Sequence, residues 1–280
     1  MLNTRIAFYT RPYPRIRSWF EMIDEAAKRG MTAIEGFTNM ELAEPDPEAA
    51  RKIRAYADEK GVRFCCLSCF CNFALDDTED QITRMMRYID VASILGSPYF
   101  HHTLVAGYPT PDYVLQNWDA LFENAVHAVR RLYDYGQTKN VRLIYEDQGY
   151  MFNGLVNYGK FLDAVDRNVG VLLDFGNHYN VDEELDGFLE AYLPRVCHVH
   201  IKDVLYAPTP DGMPDSLYTL KGNYFWPVAM GTGIMDHKKY ITRLENAGYS
   251  GLYSLEYSAP SDDSSLIDDT IATLSSWLAR

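Results

Sequence analysis

The sequence predicts a single α/β domain, a (β/α)8 TIM barrel that spans all 280 residues. Apolar runs of strand length alternate with amphipathic stretches of helical length along the whole chain, which is the order of elements in a parallel α/β fold. Eight such pairs can be counted, and eight is the number that closes a barrel. Several of the apolar runs end in a carboxylate or an imidazole, at the strand end where barrel enzymes carry their active sites.

The predicted elements follow one another without a repeat or a low-complexity linker. The strands are predicted at 5–9, 32–37, 62–70, 99–104, 141–146, 170–174, 196–202 and 252–256. The helices are predicted at 17–29, 47–60, 78–95, 112–135, 155–166, 183–193, 236–247 and 263–278. In the first helix the apolar side chains share one face, as helical periodicity requires.

Glycines mark the ends of several predicted helices, because a left-handed residue commonly ends a helix and glycine adopts that conformation most easily. They are Gly30, Gly61, Gly96 and Gly248. An open doubly wound sheet is the competing fold. It is disfavoured because the first strand continues as AFYTRPYP, which is not a glycine-rich phosphate-binding loop.

One connection is much longer than the others, at about 204–233, and it carries several aromatic residues. Loops of this length are usually functional or disordered, and the aromatic content argues against disorder. We expect a lid or a subunit contact beside the preceding strand, with a packed structural loop as the alternative.

Composition excludes several classes of protein. The formal net charge of -13 argues against a nucleic-acid groove and against an anionic membrane surface. Neither a membrane-spanning apolar stretch nor a secretory signal is apparent, so we expect a cytoplasmic protein. Four of the five cysteines crowd into FCCLSCFC; without a second ligand pair, we interpret them as buried thiols on an inner strand.

Four strand ends offer potential metal ligands. The runs VRLIYEDQG, VGVLLDFGNH, RVCHVHIKD and GLYSLEYS place Glu146, Asp174, His200 and Glu256 at or near the end of a buried strand. Three carboxylates and one imidazole suit a divalent ion such as Mn2+, Mg2+, Co2+ or Zn2+. His198 and His200 have the same side-chain parity, so spacing alone does not choose between them.

The ordered patterns Y-E-D, L-D-F-G-N, H-V-H-I-K-D, G-T-G-I-M-D and G-Y-S-G-L-Y-S-L-E resemble those of the xylose isomerase-like barrel superfamily of sugar isomerases and epimerases. The resemblance covers nearly the whole chain and includes the ketose 3-epimerases and the inosose dehydratases. It implies one divalent ion, Mn2+ first, held by Glu146, Asp174, His200 and Glu256. It also selects His200 over His198.

The resemblance implies a sugar isomerase or epimerase that acts on a ketose or a related keto-polyol. A bound ion would acidify the proton next to the carbonyl and stabilise the enediolate. In the ketose 3-epimerases that the chain resembles, two metal-bound glutamates remove and return this proton. The corresponding catalytic residues would be Glu146 and Glu256.

The same site also suits a lyase, which expels a hydroxyl from the enolate as in inosose or dehydroshikimate dehydratases, or cleaves a 3-keto-glycoside. Phosphodiester hydrolysis, as in the apurinic endonucleases of this fold, is disfavoured because the chain has neither a richer histidine cluster nor a basic groove. A non-catalytic protein on a decayed barrel is disfavoured because all four ligand positions are filled.

Other polar residues near strand ends are candidates for substrate binding: Glu35, His101, Asn177, His178 and Lys202. Many relatives place a histidine where Asn177 stands, and asparagine binds a hydroxyl but shuttles no proton at neutral pH. The alternatives are an ion pair with a helix cation for Glu35, a salt bridge to Asp203 or a neighbour for Lys202, and a capping or surface role for His178. Of the adjacent histidines in the fourth strand, at most one should face the barrel mouth.

The expected partner is therefore a small sugar or polyol, without a phosphate because the sequence contains no basic cluster suited to one. Family habit and the aromatic segment at 204–233 suggest a homo-oligomer, either a dimer or a tetramer.

Overall fold

Eight parallel strands form a closed barrel in the computed structural model, which describes residues 4–9, 16–74, 77–105, 110–211, 216–256 and 264–278. The barrel strands are β1 (Ile6–Tyr9), β2 (Ala33–Phe37), β3 (Arg63–Cys69), β4 (Tyr99–His102), β5 (Arg142–Glu146), β6 (Gly170–Asp174), β7 (Val196–Ile201) and β11 (Tyr253–Leu255). Their order is β1-β11-β7-β6-β5-β4-β3-β2, and pairing of β1 with β2 closes the ring. The predicted barrel is confirmed.

Helices alternate with these strands and cover the outside of the barrel. They are α1 (Trp19–Lys28), α2 (Pro47–Lys60), α3 (Thr78–Leu95), α4 (Pro111–Gln116), α5 (Trp118–Thr138), α6 (Leu155–Val165), α7 (Leu185–Tyr192), α8 (His237–Asn246) and α9 (Ser264–Leu278). Among the described residues, no helix combines the length and apolar composition needed to cross a bilayer.

The helix boundaries have local causes. Asp46 and Asp77 accept hydrogen bonds from the free amides that begin α2 and α3, which satisfies donors that have no partner within the helix. Gly61 and Gly96 end the same two helices in the left-handed conformation, at φ values of 70° and 69°. The predicted role of these two glycines is confirmed.

The helix predicted at 112–135 is two helices, α4 and α5, separated at Asn117. Asn117 has φ −115° and ψ 16°, and its side-chain amide donates to the carbonyl of Tyr113 at 2.8 Å. An asparagine side chain that bonds nearby backbone competes with helical hydrogen bonding, which explains the break.

The segment at 204–233, predicted as a long loop, contains a three-stranded antiparallel sheet in its described part. Strands β8 (Asp203–Ala207), β9 (Leu217–Tyr218) and β10 (Tyr224–Val228) pair in the order β8-β10-β9. Two carboxylates attach this sheet to the barrel. Asp182 accepts from Tyr206, Thr219 and Asn223 side chains and from the Lys221 amide.

The second anchor is Asp203, the first residue of β8, which is separated from the end of β7 by Lys202 alone. Its carboxylate accepts from the amides of Gly231, Gly233 and Met235, where the chain returns from the small sheet. A Cβ at Gly233 would lie 2.1 Å from Asp203 Oδ1, so only glycine fits this close approach. The segment is therefore a packed extension of the barrel, built over the β7 strand end.

The barrel interior is apolar in one part and polar in another. Small apolar residues form a buried cluster of their own: Ala7, Ala33, Cys65, Cys66, Ile144 and Leu172. The four cysteines at 65, 66, 69 and 71 are buried and free, as expected. In addition, the interior contains polar contacts that join β2 to β7, strands that are not neighbours in the sheet.

The close approach between β2 and α1 gives a test of packing. A Cβ on Gly36 would lie 2.1 Å from the buried Trp19 ring, so Gly36→Ala should destabilise the protein by about 1–3 kcal/mol through overpacking. Gly187→Ala is the control, because the added methyl in α7 meets only Leu155 at 3.7 Å and should stabilise by about 0.5–1 kcal/mol. Equilibrium urea denaturation measures both; equal effects would contradict this account.

Candidate active site

Four potential metal ligands converge at the carboxyl ends of the barrel strands. Glu146 ends β5, Asp174 ends β6, His200 lies near the end of β7, and Glu256 directly follows β11. One ligand atom from each of the four lies within 4.8 Å of the others. Two ligands that bind one ion at about 2.0–2.6 Å are at most about 5 Å apart, so this donor set fits a single divalent ion.

The imidazole of His200 is at the centre of this cluster. Its Nδ1 lies 3.0 Å from Glu146 Oε1, 3.6 Å from Glu256 Oε2 and 3.9 Å from Asp174 Oδ2. The His200 ring also stacks on the ring of Tyr9, and the two ring centroids are 5.0 Å apart. Of the two histidines that spacing alone could not separate, His200 is therefore the one that faces these three carboxylates.

Asp174 divides its two carboxylate oxygens between the backbone and the cluster. Oδ1 accepts from the amides of Gly176 and Asn177, both at 2.7 Å, which shapes the turn after β6. Oδ2 lies 3.0 Å from the ammonium of Lys202. The Asp174 amide donates to the carboxylate of Asp147, the residue after Glu146, so Asp147 helps to fix the backbone at Asp174.

Lys202 contacts two of the four candidate metal ligands. Its ammonium lies 3.0 Å from Asp174 and 3.1 Å from Glu256 Oε2. Burial works against the charged form, but these carboxylates and Glu146 raise the pKa of Lys202 above its usual value. Lys202 is therefore a cation held directly at the candidate site.

Burial and charge oppose each other at the carboxylates. Burial raises the pKa of Asp174 to about 8, with Glu146 and Glu256 adding to the effect and Lys202 opposing it. Burial also acts to raise the pKa of Glu146, but the hydrogen bond and the charge of His200 outweigh it and lower that pKa to about 2. Because three carboxylates lie close together here, a cation bound between them would be stabilised by their negative charges.

The adjacent histidines of β4 face opposite sides, as predicted. His101 Nε2 lies 3.7 Å from Glu146 Oε2, whereas His102 bonds to the Thr103 carbonyl and to the Tyr145 hydroxyl. A small pocket beside Glu146 is lined by residues of β4 and β5 and their loops, namely His101, His102, Thr103, Leu104, Val105, Tyr145, Glu146, Gln148 and Phe152. Of the two histidines, His101 is the one near the candidate ligands.

Asn177 and His178 lie in a buried 3-10 helix after β6, Asn177–Val181. His178 is 1% exposed, so the surface role that the sequence left open is wrong. Within the described part of the chain, neither ring nitrogen of His178 nor the side-chain nitrogen of Asn177 has a hydrogen-bond partner. Both remain candidates for substrate binding.

Glu35 contacts the side of His200 that faces away from the three carboxylates of the cluster. Its carboxylate is fully buried and bonds to His200 Nε2 at 2.9 Å and His198 Nε2 at 2.8 Å. Burial disfavours its ionisation, yet the two imidazoles lower the pKa of Glu35 well below its usual value. The structure thus places Glu35 behind His200, where it pairs with two histidines of β7 and not with the helix cation that the sequence offered as the alternative to substrate binding.

Sequence reasoning overlooked two supporting residues, Asp147 and Ser68. Ser68 Oγ donates to Glu35 at 2.5 Å and lies 3.2 Å from His101 Nδ1. Asp147 was visible in the Y-E-D pattern, directly after Glu146. Ser68 stood within the cysteine-rich strand, where its parity with Cys66 indicated an inward side chain.

The comparisons with known proteins agree with the fold. A family model described as "Xylose isomerase-like TIM barrel" matches residues 23–278. Inosose dehydratase from Klebsiella pneumoniae is 24% identical over 243 residues, which cover 80% of this chain and 79% of the relative. L-ribulose-5-phosphate 3-epimerase from Escherichia coli is 22% identical and covers 91% of this chain and 88% of its own length.

A solved structure extends the likeness over almost the whole fold. It is a xylose isomerase-like TIM barrel protein from Mycobacterium smegmatis in complex with magnesium, 20% identical, with a TM-score of 0.71. The alignment covers 99% of this chain and 98% of that one. At this identity the likeness establishes the shared fold.

The geometry predicts that His200 and His198 differ in their effect on metal binding. His200→Asn should abolish stoichiometric binding of Mn2+, because it removes the imidazole at the centre of the four donors. His198→Asn should leave the metal content nearly normal, because His198 bonds to Glu35 and not to the four-residue cluster. Plasma mass spectrometry after gel filtration measures the ion per chain; the reverse result would show that His198 is the ligand.

Proposed function

Because the chain belongs to the xylose isomerase-like TIM barrel family, we propose that it is a divalent-metal-dependent epimerase or isomerase of a ketose or related keto-polyol. The observation that supports this most directly is the convergence of Glu146, Asp174, His200 and Glu256 at one end of the barrel. A decayed barrel would have no reason to keep this costly set of buried carboxylates together.

The donor set indicates what an ion would contribute. Three carboxylates and one imidazole suit Mn2+ best, with Mg2+, Co2+ and Zn2+ as alternatives. When bound, the ion would polarise the substrate carbonyl and an adjacent hydroxyl, which acidifies the neighbouring C–H bond. The remaining work, positioning the substrate and moving the proton, falls to the side chains.

Glu146 and Glu256 are the proposed acid–base pair for epimerisation. They belong to β5 and to the end of β11, which β6 and β7 separate in the barrel, and a carboxylate oxygen of each lies within 3.6 Å of His200 Nδ1. One carboxylate removes the proton from one face of the carbon, and the other returns a proton to the opposite face. The product is the epimer at that carbon.

The surrounding residues suit a neutral, hydroxyl-rich substrate. Asn177 and His178 supply buried polar atoms that have no hydrogen-bond partner among the described residues, and His101 lines the pocket beside Glu146. The ammonium of Lys202 is already engaged by two carboxylates, so a phosphate would have to compete with them. We therefore propose an unphosphorylated sugar or polyol.

Dehydration is the second candidate, and the position of Lys202 favours it. Its ammonium is 3.1 Å from Glu256, so a proton donor stands beside a proton acceptor. Glu256 would take the proton from the carbon next to the carbonyl, and Lys202 would protonate the departing β-hydroxyl, which leaves as water. The similarity to inosose dehydratase over 80% of the chain supports the same reaction.

Proton NMR in D2O tests the proposal with Mn2+-activated protein and a panel of free ketoses, inososes and 3-keto-glycosides. Deuterium next to the carbonyl together with a new stereoisomer is the expected result. Glu256→Gln should lower turnover by at least about 100-fold, because a missing acid–base group costs about 100- to 10,000-fold. Glu48→Gln, on the exposed face of α2, is the control and should keep full turnover. Equal activity of both variants would remove Glu256 from catalysis.

Lys202→Gln distinguishes the two reactions. If the protein is a dehydratase, this variant should still exchange the substrate proton for deuterium but release water about 100- to 10,000-fold more slowly. If it is an epimerase, exchange and stereoisomer formation should fall together or not at all. Lys239→Gln, in an exposed ion pair with Asp186, is the control and should match the unmodified protein.

A further inference from the structure

Glu35 is a fully buried carboxylate at the centre of a polar network inside the barrel. It is 0% exposed and lies on β2, across the interior from β7. Oε1 receives His200 Nε2 at 2.9 Å and the Ser68 hydroxyl at 2.5 Å, while Oε2 receives His198 Nε2 at 2.8 Å. Both oxygens are therefore used by protein donors.

These contacts fix the orientation of the His200 ring. An ionised carboxylate can only accept hydrogen bonds, so Nε2 of His200 is an N–H that donates to Glu35. Nδ1 is the nitrogen that faces Glu146, Asp174 and Glu256, and it lies within hydrogen-bond distance of Glu146, at 3.0 Å. Because Glu35 holds the proton on Nε2, Nδ1 is the atom that would give up its proton and offer a lone pair to an ion.

The same carboxylate also reaches His101, through one hydroxyl. Because Ser68 uses its only hydrogen on Glu35, its oxygen accepts from His101 Nδ1 at 3.2 Å. His101 Nε2 then faces Glu146, 3.7 Å away. Glu35 therefore orients two imidazoles: His200, which belongs to the four-residue cluster, and His101, which lies beside it.

We propose that Glu35 is a positioning residue, which holds His200 with Nδ1 toward the cluster and Nε2 protonated. The inference deepens the proposed function and rests on the metal site proposed there. A carboxylate behind a metal-bound histidine fixes the ring and strengthens it as a ligand, and loss of such a partner typically weakens metal binding about 10- to 100-fold.

A different reading of the same residues is a second metal site, because Glu35, His198 and His200 also offer three ligand atoms within 4.8 Å of one another. The separations of 2.8 and 2.9 Å are those of charge-assisted N–H···O hydrogen bonds, which favours protons between these groups. The number of ions bound per chain separates the two readings.

The test compares Glu35→Gln with Ser254→Ala. Glutamine keeps the size of the side chain and removes its charge. Ser254 is also fully buried and is adjacent to His200 in the β7–β11 pairing, but its hydroxyl has no hydrogen-bond partner among the described residues. Calorimetric titration of metal-free protein with Mn2+ gives the dissociation constant and the stoichiometry, and circular dichroism verifies the fold.

We expect one ion per chain, bound about 10- to 100-fold more weakly by Glu35→Gln and with roughly unchanged affinity by Ser254→Ala. Equal affinities in the two variants would overturn the inference. So would two ions per unmodified chain of which Glu35→Gln loses one.

A measurement on the unmodified protein keeps the inference testable even if Glu35→Gln does not fold. In Zn2+-loaded, 15N-labelled protein, long-range proton–nitrogen NMR should show His200 protonated at Nε2, with His200→Asn supplying the assignment. Protonation at Nδ1 would overturn the inference.

Failure of the inference is distinguishable from failure of the proposed function. Normal metal binding by Glu35→Gln would refute the role of Glu35 alone and leave the proposed metal enzyme standing. Weakened binding without deuterium exchange on any compound would refute the proposed reaction and leave the role of Glu35 intact. An unmodified chain that binds no divalent ion would refute both.

Discussion

The structure depends on charge compensation inside the barrel. Glu35 is fully buried, and a lone carboxylate in that position would be far too costly to keep ionised. Burial acts to raise the pKa of Glu35, but the charges of His200 and His198, together with their hydrogen bonds, lower that pKa well below the usual range, so the charge survives burial. The barrel interior is therefore built around an ion-paired centre, and His200 is common to that centre and to the candidate metal site.

The three-stranded sheet of β8, β9 and β10, next to the β7 end of the barrel, also helps to fix the candidate site. Asp203 and Asp182 fix the small sheet by accepting hydrogen bonds from amides and side chains of its turns. Each bond satisfies a donor that would otherwise be unpaired in a long connection. Because Asp203 is next to Lys202, the anchoring of the sheet also fixes the chain that carries the cation of the site. The extension thus has a structural reason to be ordered, independent of any role as a lid or subunit contact.

Most of the barrel was predictable because parallel strands buried on both faces leave a simple signal, an apolar run between the glycine that ends one helix and the start of the next helix. The positions of the carboxylates in the four-residue cluster were predictable for a related reason, since a carboxylate after such a run lies at the strand end. Glu35 departs from this rule, because it lies in the middle of β2, and the sequence could not show that its side chain points across the barrel to β7. The break at Asn117 and the sheet within 204–233 depend on side-chain hydrogen bonds that no periodicity records.

Lys202 links the charge balance of the site to the choice between the two candidate reactions. The Lys202 ammonium contacts both Asp174 and Glu256. Its positive charge offsets the repulsion among these two carboxylates and Glu146. Under the proposed function a divalent ion would supply this positive charge, and the ammonium would no longer be needed between the carboxylates. Lys202 would then remain beside Glu256 as the proton donor that the proposed dehydration requires. Whether a leaving hydroxyl stands there is decided by the substrate, so one set of side chains accommodates both proton return and elimination.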